Sequence, residues 1–125
     1  MKKILFLGIG FFVVAGFSIL NAQKKAKWNE MEAFHNVMSQ TFHPAEEGKL
    51  EPIRTRSQEM LDKAIAWKKS TPPEGYNKSE TAPQLKKLVK GSKELNKMVM
   101  AKAPDKEITE KLSALHDVFH KLMDE

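Results

Sequence analysis

All four histidines of the chain sit in two short stretches, His35 and His43 in one, His116 and His120 in the other. His116 and His120 are four residues apart, so on a helix they stand one turn above each other on the same face. Neutral imidazole is the commonest protein ligand for zinc and copper, and an i, i+4 pair is the simplest two-point grip a helix offers such an ion. There is no cysteine, so any metal must be held by histidine, methionine and carboxylate groups.

If the stretches carrying these pairs are neighbouring antiparallel helices, His35 comes level with His116 and Met31 with His120. The predicted cluster is then His35, His116 and His120, with the Met31 thioether as a fourth donor. Histidines in an apolar seam need partners for their ring nitrogens, and one transition-metal ion satisfies three at once. With Met31 the set favours copper; without it, three imidazoles leave the open tetrahedral position that suits zinc. His43 follows His35 by eight residues, roughly 12 Å along a helix, too far to share the ion. Before Pro44, and followed by Glu46 and Glu47, it reads as a C-terminal capping residue favoured by the helix dipole, or with either glutamate as a second, weaker site. The plain alternative for the whole set is a group of boundary histidines that only hydrogen-bond or tune a pH response. No phosphate loop, nucleophile–base pair or carboxylate dyad is present, so no enzyme is expected.

Four amphipathic stretches separated by turn signals must position these groups. The first, about residues 27–42, carries Trp28, Met31, Phe34, His35, Met38 and Phe42 in one stripe and is expected to end at Pro44. The second has Pro52 in its first turn, shows Ile53, Met60, Leu61, Ala64 and Ile65, and ends before Thr71-Pro72-Pro73. After a loop over residues 71–82 the third opens at Pro83 and shows Leu85, Leu88, Val89, Leu95, Met98 and Val99. The last starts at Pro104 with Ile108, Leu112, Leu115, Phe119 and Leu122. Met38, Met60, Met98 and Met100 read as core filler, and Trp67 as packing at the bundle boundary. Nothing reads as a strand. The fold class predicted is all-α: an antiparallel up-down-up-down four-helix bundle, whose cofactor sites are built between facing helices.

Residues 1–22 read as a secretory signal peptide, with Lys2 and Lys3 before the apolar run from Ile4 to Leu20. An uncleaved anchor is the alternative, and the absence of cysteine excludes a lipoprotein anchor. Residues 23–125 then form a single bundle domain, periplasmic or otherwise exported, with no stable membrane association after cleavage. The formal net charge of +5 falls to +3 without Lys2 and Lys3, and the remaining lysines alternate with acidic residues along the helices. They make solvated faces, and nucleic acid is not an expected partner.

Some short motifs resemble a known family. Residues 29–34, Asn29-Glu30-Met31-Glu32-Ala33-Phe34, are similar to the N-terminal helix of the periplasmic cytochrome b-562 type, in which a methionine at this place is an axial haem ligand. Lys69-Ser70-Thr71-Pro72-Pro73, followed by Lys78-Ser79 and Pro83-Gln84-Leu85-Lys86, resembles that family's middle loop and third-helix start. Val118-Phe119-His120-Lys121 resembles its last helix, where the histidine is the other axial ligand. The resemblance implies haem b held by Met31 and His120, and electron transfer. The third and fourth helices are shorter than is usual there, and His35 and His116 have no ligand role in that pattern. From the residues themselves the leading expectation is an exported bundle that binds copper or zinc for buffering, carriage or sensing, with a metal-transfer or redox protein as partner. A haem-binding electron carrier and a cofactor-free structural or partner-binding bundle are the alternatives.

Overall fold

The computed structural model describes residues 26–124, so the signal segment read over residues 1–22 lies outside the described residues. Four helices follow in order: α1 (Asn29–Glu46), α2 (Glu51–Lys69), α3 (Lys78–Met100) and α4 (Asp105–Asp124). There is no strand among the described residues, and no helix among them is long and apolar enough to cross a membrane. All four helices belong to one compact unit of residues 28–72 and 77–124. A second unit includes residues 73–76, where the Tyr76 N–H donates to the Pro73 carbonyl at 3.3 Å across a turn whose Gly75 has φ +96°.

Helix boundaries follow local chemistry, with two departures from the sequence reading. α1 runs through Pro44 to Glu46, and the chain turns at Gly48. A proline in the last turn forfeits one intrahelical hydrogen bond, whereas Gly48, at φ +85°, takes the left-handed conformation that reverses the chain. There the Lys49 N–H reaches the Pro44 carbonyl at 2.9 Å and the Gly48 N–H reaches that of Ala45 at 3.0 Å, a Schellman closure. α3 opens at Lys78, five residues before Pro83. Its start signal is Asn77, whose side-chain oxygen accepts from the Ser79 N–H at 2.9 Å, with Glu80 in the first turn.

α3 ends in the same closure, with the Ala103 N–H on the Met98 carbonyl and the Lys102 N–H on that of Val99. Here the left-handed position is held by Lys102, at φ 58°. A side chain in this conformation costs about 1–2 kcal/mol, partly offset by the entropy that glycine loses on folding. Lys102→Gly is therefore expected to raise the unfolding free energy by about 0.5–1 kcal/mol, read as a higher urea midpoint with an unchanged slope.

Cross-helix contacts set direction and register. The Trp28 indole N–H donates to Ser70 Oγ at 2.8 Å and Arg56 donates to Gln40 at 2.6 Å, so α1 and α2 run in opposite directions. Ser57 donates to Asn96 Oδ1 at 2.7 Å, and Asn96 Nδ2 donates to Gln58 at 2.9 Å, pairing the start of α2 with the end of α3. Lys111 pairs with Glu94, and Gly91 is buried where Leu115 of α4 approaches α3 closely. Phe34 packs on Phe119 and, further along α1, Phe42 packs on His116, so α1 runs antiparallel beside α4 and closes the bundle. The core combines the predicted stripes with one aromatic cluster. Trp67 lies at its centre, fully buried, with ring centroids 5.8 Å from Trp28, 5.6 Å from Phe34 and 5.8 Å from Phe119. Met38 and Met60 are core residues as expected, but Met100 is exposed and Met98 half-buried.

Candidate metal centre

The groove between α1 and α4 opens into a cleft of about 250 Å³ lined by His35, Met38, Ser39, Phe42, His43, His116, Phe119, His120 and Met123. All four histidines therefore line one cleft, although the two pairs lie more than seventy residues apart in the chain. The i, i+4 pair behaves as its spacing requires. The rings of His116 and His120 stand 4.4 Å apart at 72°. Two imidazoles sharing one ion at metal–nitrogen distances of about 2.1 Å have ring centres roughly 5 Å apart, so the pair is close to a chelating arrangement. Phe42 stacks flat on His116 at 4.0 Å and 13°, which holds the imidazole by its face.

Electrostatics favour the ligating form of His116. Burial holds its pKa below the ordinary histidine value, and neighbouring His120 lowers it further. Asp117 and Glu46 pull in the opposite direction, and His43 adds a smaller downward push. A depressed pKa keeps the ring neutral, the state that binds a metal.

The register differs from the one read from sequence. His35 lies against Phe119, at 5.2 Å, and not level with His116; His116 lies against Phe42. The reason is the aromatic cluster: burying Phe34 on Phe119 and Trp67 sets where α1 lies along α4. His35 and His120 are exposed and His116 half-buried, so only His116 is a true boundary residue. Met31 is half-buried and is not among the residues that line the cleft. The thioethers that do line it belong to Met38 and Met123. Sequence reasoning placed Met38 in the core and passed over Met123; the available signal was spacing, since each stands three residues after a histidine, His35 and His120. His43, set apart in the sequence reading, also lines the cleft, while its Nδ1 pairs with Glu46 at 3.5 Å in the last turn of α1. Among the described residues no group of three or more His, Asp or Glu side chains forms a ready ligand set.

Haem, implied by the family resemblance, would lie between Met31 and His120. The interior behind His120 is filled by Phe34, Trp67 and Phe119, each at most 1% exposed. The cleft itself lies below the roughly 300 Å³ at which pockets for drug-sized ligands begin. In this packing the residues do not form a porphyrin cradle. Comparison with family models, with curated proteins and with solved structures finds no match for the chain.

Proposed function

We propose that this is an exported four-helix bundle that binds a transition-metal ion, copper or zinc, in the α1–α4 cleft, for metal buffering, carriage or delivery to a protein partner. One observation carries the reading: two imidazoles 4.4 Å apart on α4, with His116 held toward its neutral form by burial, face a cleft that two further histidines and two methionines share. His116 and His120 grip the ion, and His35, which lines the α1 side of the cleft against Phe119, adds a third nitrogen only by turning toward them. Met31, one turn before His35, is a donor only if α1 shifts along α4. Export rests on the Lys2-Lys3 and apolar pattern of residues 4–20. The protein has no catalytic step in this reading: it holds and hands over its ion.

A b-type haem held by Met31 and His120 is the competing reading, and it requires the Phe34–Trp67–Phe119 cluster to open. Elemental analysis and a visible spectrum of protein purified from its native compartment separate the two. The metal reading expects a preparation without a Soret band, carrying up to one copper or zinc per chain. A Soret band that survives dialysis would replace it with the haem reading.

A further inference from the structure

Resting on the metal-binding reading above, we infer that the ion is monovalent copper, and that the cleft methionines Met38 and Met123 supply the thioether ligation that His116 and His120 leave incomplete. The first argument is the donor inventory. The residues lining the cleft offer imidazoles, one hydroxyl and two thioethers, and no carboxylate. Thioethers are soft ligands that select monovalent copper and add little for zinc.

The second argument is charge. Zinc is ordinarily held by four donors, often including anionic ones, and no carboxylate lines this cleft. A dication on neutral donors keeps its full charge in a half-buried groove, where desolvation is costly. A monovalent ion loses far less, because solvation energy scales with the square of the charge, and it is satisfied by fewer donors. Glu46 and Asp117 act on His116 electrostatically without lining the cleft, which gives mild attraction but no hard ligand.

Placement is the third argument. His35 of α1 faces Phe119 of α4, so three residues further along α1 and three back on α4 bring Met38 level with His116. Met38 is 1% exposed and lines the cleft from its buried side. Met123 stands one turn beyond His120 on the same face of α4. Phe42 and Phe119 wall the remainder with apolar surface.

The test measures copper(I) and zinc affinities of the full chain separately, by competition with chromophoric chelators under anaerobic conditions. Copper(I) is expected to bind at least about a hundredfold tighter than zinc. Met38→Leu with Met123→Leu, both volume-conserving and tolerated by a packed core, should weaken copper(I) about tenfold or more and change zinc by less than about threefold. The single variants assign the share of each sulfur. Unchanged copper(I) affinity in the double variant, or zinc bound as tightly as copper(I), overturns the inference. Zinc binding that is lost in His116→Ala and His120→Ala, without any preference for copper, sinks the inference alone and leaves the metal-binding reading standing. Failure of both ions to bind removes the two together.

Discussion

His116→Ala and His120→Ala are each expected to abolish most of the thermal stabilisation that zinc or copper gives the protein near pH 7.5, whereas His43→Ala should leave it nearly intact. An ion that binds only the folded state at a hundredfold excess over its dissociation constant adds about 2.7 kcal/mol, which for a domain of this size is roughly 10–20 °C in melting temperature. The pair on α4 supplies the two nitrogens that stand closest to a chelating arrangement, so removing either member takes most of the increment with it. The effect must also depend on pH. Bound imidazoles are neutral, so the stabilisation should shrink as pH falls toward 5, where protons compete for the same nitrogens. Even without metal His116 contributes a slope. Its folded pKa lies below the ordinary value of 6.5, so the unfolded chain binds protons more readily. That costs no stability above the ordinary value. Stability then falls with decreasing pH down to the depressed folded pKa, below which nothing more is lost. Thermal melts at pH 7.5, 6.5 and 5.5, with and without metal, check both signs. An equal loss from His43→Ala would move the site to the C-terminal turn of α1.

Trp67→Ala should destabilise the protein by about 3–5 kcal/mol, a large part of the stability of a domain this small. The side chain is fully buried and touches Trp28, Phe34 and Phe119, so its removal leaves a cavity bounded by three helices. Trp67→Phe should cost distinctly less. The indole N–H has no hydrogen-bond partner, and phenylalanine removes that orphaned donor while keeping most of the aromatic surface. Chemical denaturation of both variants tests this, and a Trp67→Phe loss as large as that of Trp67→Ala would mean that the N–H is satisfied in solution. Because Phe119 joins the cluster to His35 and His120, Trp67→Ala should also weaken metal binding by loosening α4 against α1.

The elements that carry these groups were legible because helical periodicity is a local signal: Ile108, Leu112, Leu115, Phe119 and Leu122 announce α4 unaided, and Pro52, Pro72, Pro73 and Pro104 fall in a first turn or between helices. Pro44 and Pro83 misled for one reason. Each was read as a boundary, yet a helix tolerates proline near either end, and the true signals were Gly48 and the Asn77 cap. The His116–His120 pair was legible for the same local reason as the stripes. What faces it was not, because the register of α1 on α4 is decided by Phe34, Trp67 and Phe119, a contact among three distant segments. That same contact moved Trp67 from the expected bundle boundary to the centre of the core. The Ser57–Asn96 hydrogen bond was hidden for the opposite reason, since polar residues within a helix look like surface until the partner helix is known.

The most direct test of the central claim is to follow the imidazole nitrogens by NMR while one equivalent of zinc or, under anaerobic conditions, copper(I) is added at pH 7.5. The expected result is that the resonances of His116 and His120 move together and saturate at one equivalent, with His43 unchanged. Movement of His43 alone, or no change at His116 and His120, would contradict a metal centre on α4.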